Sequence, residues 1–343
     1  MRAAGQLSAT VAPRNRIEPE GGLPPRGAGP GKARPRRTPL AAPFRNLIVR
    51  KGLPYALIAP SLVVMAGVLG WPLVMLVSLS LQHYGLRQLF QHQGTFIGLQ
   101  NYATILSDPQ FGYTLRTTII FTLVNVLLSM VLATLIALLM ERVSRFVRVL
   151  IGAGLVFVWA TPVIPAINLW QWMFDYEFGV INWLLTRIGA GNYIHHNWFE
   201  HPLEGFTVIT VIVVWGAIPF LAIALNAALT QVPKDLVEAA EIDGARPWQV
   251  FANVTVPVLR PTLLVLLSLS TIWDFGVFNQ VWVLLNQRPS KDYFVMSVFS
   301  FQESFRVSQY GLGSAVAVVM IAILVVATFL YVRQTVRAVN EAG

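Results

Sequence analysis

Charged residues are so widely spaced along this chain that the intervals between them outline its elements. Between Lys51 and Arg87 lie 35 residues without Asp, Glu, Lys or Arg, and between Arg116 and Glu141 lie 24. Arg148–Asp175, Glu204–Lys234 and Arg306–Arg333 leave 26, 29 and 26, and Arg260–Arg288 leaves 27, interrupted once by Asp274. A helix needs about 20 apolar residues to cross the hydrocarbon core of a bilayer. The pattern therefore predicts six transmembrane helices near residues 55–82, 115–140, 149–174, 206–230, 260–285 and 313–332. Spanning strands are excluded, because apolar–polar alternation over about ten residues is absent. The fold class is an all-α integral membrane protein.

Composition agrees. The chain is 55% hydrophobic and 12% charged, about half the charge of an ordinary soluble domain, with a mean hydropathy of +0.60. A net charge of +9 is a feature of nucleic-acid-binding chains, but 11 of the 25 basic residues fall within the first 51. The excess belongs to a tail and not to a binding face, so no nucleic-acid partner is expected. Cysteine is absent, which removes disulfides, thiolate metal sites and cysteine nucleophiles.

Orientation follows from Lys and Arg in the connecting loops. With both termini cytoplasmic, the inner segments hold 19 basic residues and the outer segments 6. Residues 1–46 carry 8 Pro, 6 Gly and 9 basic residues, too little apolar surface to offset ordering, and are expected to be a disordered cytoplasmic tail. Residues 50–335 form the membrane domain. The expected location is a bacterial cytoplasmic membrane, crossed several times, with lipid as the surrounding partner.

Signatures of chemistry are weak. Gly31-Lys32 is followed by Ala33, so it lacks the hydroxyl of a phosphate-binding loop. His195, His196 and His201 share one outer loop with Glu200, but their spacing fits no zinc pattern, and no metal is expected. No nucleophile elbow or His-Glu-x-x-His helix occurs, so the chain is not expected to be an enzyme.

One inner loop stands apart. From Gln231 to Pro257, Pro233 and Asp235 suit a helix start and Gly244 suits its end, giving a surface helix of about two and a half turns. Glu238-Ala239-Ala240, three residues including Asp243, Gly244, nine residues, then Val254-x-Val256-Pro257 resembles the signature loop of permease subunits in binding-protein-dependent ABC importers. The departures are Val for the usual Ile and Leu. Trp170-x-Trp172-Met173-Phe174, Trp215-x3-Pro219-Phe220 and Trp273-x-Phe275-x2-Phe278 are similar to the carbohydrate-uptake, maltose-permease-like branch.

The resemblance implies a coupling helix between the fourth and fifth spans that docks on a separate cytoplasmic ATP-binding subunit dimer. Glu238 would contact that ATPase, Ala239 and Ala240 would permit close packing, and Gly244 would set the turn. This chain would bind no cofactor, ATP and Mg being used by the partner. It further implies a second homologous permease, an extracytoplasmic solute-binding protein and a di- or oligosaccharide substrate. Glycerol 3-phosphate or a related polyol is the alternative cargo, and an ATP-independent secondary transporter the alternative class.

Asp274 is the only charge inside a span, fourteen residues after Arg260. A carboxylate at mid-membrane costs about 2.5–3.5 kcal/mol on insertion scales, so a compensating role is expected. It would accept hydrogen bonds from sugar hydroxyls, flanked by Trp273, Phe275, Asn279 and Trp282, or else bond a helix of the second permease. Asn226 is a further pathway candidate, with Trp215, Asn168 and Gln171 behind it.

Overall fold

The computed structural model describes residue 55 and residues 57–342. The basic tail 1–46 lies outside the described residues. Backbone contacts divide the chain into Met1–Val63 and Val64–Gly343, and the second unit holds the helix pairs and cavities that bear on function.

Among the described residues, five helices are individually long and apolar enough to cross a membrane: Leu57–Ser80, Pro109–Arg142, Pro202–Leu229, Pro247–Leu284 and Tyr310–Ala338. The sixth span is a bent pair. Its segments are labelled with the rest in chain order: α1 (Trp71–Ser80), α2 (Pro109–Arg142), α3 (Arg145–Ala160), α4 (Val163–Met173), α5 (Pro202–Leu229), α6 (Lys234–Ile242), α7 (Val256–Phe275), α8 (Asn279–Leu284), α9 (Met296–Phe301) and α10 (Tyr310–Ala342).

Helix starts follow local chemistry. Asp108 caps α2, its carboxylate accepting from the Gln110 amide at 2.9 Å with Pro109 in the first turn, where a missing N–H costs nothing. Ser144 caps α3 through the Val147 amide at 3.4 Å. α2 packs most extensively on α5, and α10 packs on both α1 and α7.

Two spans depart from the uninterrupted helices expected over 149–174 and 260–285. The third turns by 99° between α3 and α4. Thr161 (ψ 126°) and Pro162 (ψ 137°) are extended there, because a proline ring disfavours the helical region for the residue before it and Pro lacks the N–H that would continue the ladder. The fifth begins at Pro247, passes a π-turn at Phe251–Thr255 and breaks at Gly276–Phe278 before α8. Charge spacing records where hydrocarbon begins, and neither of these breaks involves a charge.

The buried apolar residues form two clusters. One gathers Phe111, Ile167, Ile209, Val281, Met296 and Val298. The other gathers Val126, Met130, Ala133, Leu221, Leu225 and Leu266. Along α2 a polar stripe is buried with them: Thr114, Thr118, Thr122, Asn125 and Ser129, at intervals of three or four residues that place them on one helix face. Thr118 Oγ1 donates to the Thr114 carbonyl at 2.7 Å and accepts from the Met296 amide at 2.9 Å. Thr122 Oγ1, Asn125 Oδ1 and Ser129 Oγ have no hydrogen-bond partner among the described residues.

Candidate functional site

A cavity of about 300 Å³ lies where the two apolar clusters meet. Its walls come from the α3–α4 turn (Trp159, Thr161, Val163), from α5 (Trp215, Ala217, Phe220) and from the end of the fifth span (Trp273, Asp274, Val277, Gln280). Both helix breaks border it. Trp273 meets Phe220 edge-on at 5.3 Å, and Trp159 stacks on Phe220 at 6.4 Å. Trp215 packs edge-on against Trp170 at 5.7 Å.

Asp274 is 3% exposed and accepts one hydrogen bond, from Ser270 Oγ at 3.1 Å, one helical turn earlier. Trp273 beside it is 44% exposed. The cavity is thus walled by aromatic rings, with a carboxylate, the Gln280 amide and the Thr161 hydroxyl among its lining residues, and no Lys or Arg. Such a surface offers flat apolar faces and hydrogen-bond acceptors together, at the lower end of the roughly 300–1,000 Å³ usual for small-molecule sites.

The other pathway candidates lie elsewhere. Phe275 is buried and does not line the cavity. Asn279 is exposed. Trp282 stacks on Phe278 at 5.6 Å, meets Phe301 at 4.8 Å and carries the Arg306 guanidinium 5.9 Å over its ring. Asn226 donates to Glu141 Oε1 at 3.0 Å and to the Ala137 carbonyl at 3.4 Å, at the end of the bundle where α2 leaves the apolar region. Gln171 holds Asn286 at 2.8 Å. Trp159, Thr161 and Gln280 were not singled out by sequence reasoning; the signal for Thr161 is the Thr161-Pro162 dipeptide.

The loop between α5 and α7 carries the second candidate site. α6 spans nine residues, with Pro233 as its extended cap and not, as expected, inside the first turn. At its far end Asp243 is the cap and Gly244 has φ +81°. Ala245 N–H bonds the Ala240 carbonyl and Gly244 N–H the Glu241 carbonyl, both at 3.0 Å, the paired closure that a left-handed glycine permits. Val237 and Ala240 are partly covered, while Leu236, Glu238, Ala239 and Ile242 are exposed. Pro257 sits in the first turn of α7. The structure therefore presents a short helix with Glu238, Leu236 and Ile242 exposed among the described residues.

In the loop after α4, His196 pairs with Glu204 at 2.9 Å and meets the Trp198 ring at 4.9 Å. No three His, Asp or Glu side chains converge as a metal site among the described residues.

Comparison with known proteins decides the family. Residues 130–339 match the model described as the binding-protein-dependent transport system inner membrane component. The chain belongs to this family. The permease is 40% identical over 280 residues to the diacetylchitobiose uptake system permease protein DasB of Streptomyces coelicolor, covering 82% of this chain and 85% of that protein. It is 34% identical over 239 residues to the trehalose/maltose transport system permease protein MalF of Thermococcus litoralis, covering 69% and 79%. In fold it is similar to a chain of a bacterial alginate ABC transporter solved in complex with an alginate pentasaccharide-bound periplasmic protein, with a TM-score of 0.70 at 20% identity over 85% of this chain and 96% of that one. It is a multi-pass membrane permease subunit of an ABC transporter.

Proposed function

We propose that this permease imports a sugar, a di- or oligosaccharide, delivered by an extracytoplasmic binding protein and driven by a separate ATP-hydrolysing subunit. The observation that carries the reading is the Asp274 cavity, with its ring-lined walls and buried acceptor. Aromatic faces stack on the apolar faces of pyranose rings, and carboxylate and amide groups fix hydroxyl directions. The printed names of the relatives point the same way, since they concern diacetylchitobiose and trehalose/maltose. A phosphate-bearing cargo would call for cationic donors, and the cavity lining has none.

The bias of basic residues places both termini and α6 on the cytoplasmic side. There α6 docks on the partner ATPase, with Glu238 as its polar contact, Ile242 and Leu236 as its apolar ones and Ala239 allowing close approach. Closure of the ATPase dimer around ATP and Mg moves α6, and the spans follow as a rigid rocking of helices against a second, homologous permease.

The test is uptake into proteoliposomes holding this chain, its companion permease, the ATPase and the binding protein, comparing wild type with Glu238→Arg and Gly244→Val. Both variants should abolish uptake, Gly244→Val because a β-branched residue is strained at φ +81°. Uptake that proceeds without the ATPase, or that ignores both substitutions, would overturn the reading in favour of a secondary transporter.

A further inference from the structure

At the end of the bundle that carries the Glu141–Arg148 turn, a second and larger cavity of about 620 Å³ opens between α2, the last turn of α5 and the start of the fifth span. Its walls are apolar, among them Leu135, Leu138, Leu259 and Leu263. The single wall hydroxyl, on Thr134, donates to the Met130 carbonyl at 2.6 Å. Two side chains differ from the rest. Trp248 lines the cavity and is 64% exposed, and Arg142 lines it with no hydrogen bond or ion pair among the described residues.

The dimensions are informative. Along α2 the groove runs from Met130 to Arg142, which at 1.5 Å per residue is about 18 Å. One leaflet of the hydrocarbon core is about 15 Å deep. An apolar trough of one leaflet's depth, with an unpaired cation and an indole at its mouth, matches an amphiphile with a negative head. Trp and Arg are the residues that anchor at the boundary between tails and headgroups.

We propose that this groove binds an anionic phospholipid, one acyl chain lying against Leu135, Leu138, Leu259 and Leu263 and the phosphate held at Arg142. Pro247 and Trp248, which begin the fifth span directly after the α6 loop, would then rest on lipid and not on protein. The site is separate from the Asp274 cavity and does not depend on which cargo the permease carries.

The test uses the full chain, co-purified with its transporter partners, in phosphatidylcholine bilayers doped with bromine-labelled phosphatidylglycerol or bromine-labelled phosphatidylcholine. Bromine quenches nearby indoles, and the share due to Trp248 is the difference between wild type and Trp248→Phe. Half-maximal quenching of that share should need about fivefold less labelled phosphatidylglycerol than labelled phosphatidylcholine, the preference of one cation near the surface. Arg142→Gln should remove the preference, Arg142→Lys should keep it, and Arg145→Gln, a neighbouring exposed arginine, should leave it intact. Equal quenching by both lipids would mean ordinary surrounding lipid and overturn the proposal. No quenching of Trp248 by either would mean that another polypeptide, such as a helix of the second permease, fills the groove, and would overturn it too. Equal loss with Arg145→Gln would mean diffuse attraction and no site.

Discussion

Asp274→Asn separates the two roles open to the buried carboxylate. Asn keeps the size of Asp and still accepts from Ser270 Oγ, now 3.1 Å from Oδ2, so packing against α5 is preserved while the charge is lost. A hydrogen bond to a charged group contributes about 1.5–3 kcal/mol, which is about 10- to 150-fold in affinity. The complex should bind its sugar more weakly by that factor in equilibrium binding without the binding protein, and maximal uptake should fall. The same substitution removes a charge whose insertion costs about 2.5–3.5 kcal/mol. The empty complex should therefore be at least as stable to heat as wild type, and ATPase activity stimulated by the binding protein should persist. Ser270→Ala, which removes one hydrogen bond to the carboxylate but keeps the carboxylate itself, should weaken sugar binding by less than Asp274→Asn does. A structural Asp274 behaves differently. If Asp274→Asn leaves sugar affinity within about twofold and instead releases the second permease from the complex, the carboxylate is a helix–helix contact and the cavity assignment is wrong.

Three further outcomes follow from the geometry. Ser129→Ala should raise stability by about 1 kcal/mol, since it deletes a fully buried hydroxyl without a partner and an unsatisfied buried polar group costs about 1–3 kcal/mol; a loss of stability in detergent unfolding would show that the hydroxyl is bonded in the assembled transporter. Tyr293, whose hydroxyl donates to the Phe199 and His201 carbonyls at 3.1 and 3.2 Å, has its pKa pushed up to about 12, first by burial and then by the Asp292 and Glu204 carboxylates. A folded pKa above the unfolded value of 10.0 gives stability that is complete below pH 10 and lost as pH rises through about 12, so ultraviolet titration should show a late-ionising tyrosine that Tyr293→Phe removes. That variant should also cost about 1 kcal/mol, chiefly for the Phe199 carbonyl it leaves unpaired, since the His201 carbonyl keeps the Gly205 amide at 3.0 Å. Gly311→Ala should push the start of α10 off the antiparallel strand pair Gln82–His83 and Thr95–Phe96, because an added Cβ would meet the Gln82 carbonyl and the Asn101 amide; proteolysis between residues 82 and 96 is the readout.

The spans were legible because hydrocarbon excludes charge, and charge spacing is a one-dimensional property. Asp274 was legible for the same reason, as the lone exception, and Trp273 came with it. Its other presumed neighbours were chosen by nearness in sequence, which a helix does not preserve. Phe275 lies about 100° further round the helix and is buried away from the cavity. Asn279 and Trp282 fall beyond the break at Gly276–Phe278, so their direction could not be extrapolated from α7. Asn226 is a polar residue within the expected fourth span 206–230, and it lies three residues from the end of α5, within reach of Glu141. Trp159 and Gln280 reach the cavity only because helices 50 residues or more apart in sequence pack together, which no local pattern encodes. The α6 loop was legible as a short helix ended at Gly244, because Gly244 and the residues around it encode a short-range turn.

The backbone gives an argument for the cavity that does not use side-chain chemistry. Within hydrocarbon, an extended or broken segment leaves N–H and C=O groups without helical partners, at several kcal/mol for each one facing lipid. Irregular backbone persists at that depth only inside protein or beside a polar, hydrated space. The permease has two such segments bordering one space, Thr161–Pro162 and Gly276–Phe278, in spans far apart in sequence. Thr161 and Val163 line the same cavity as Val277 and Gln280. Two costly breaks in separate helices meeting at one place would be an unlikely accident of packing, since either span would be better satisfied as a continuous helix if lipid lay beside it. Their convergence fits a site enclosed by protein and not one facing lipid, and the Asp274 carboxylate adds a polar group to it. The breaks, the charge and the aromatic walls thus meet at one cavity, the place that the proposed sugar pathway uses.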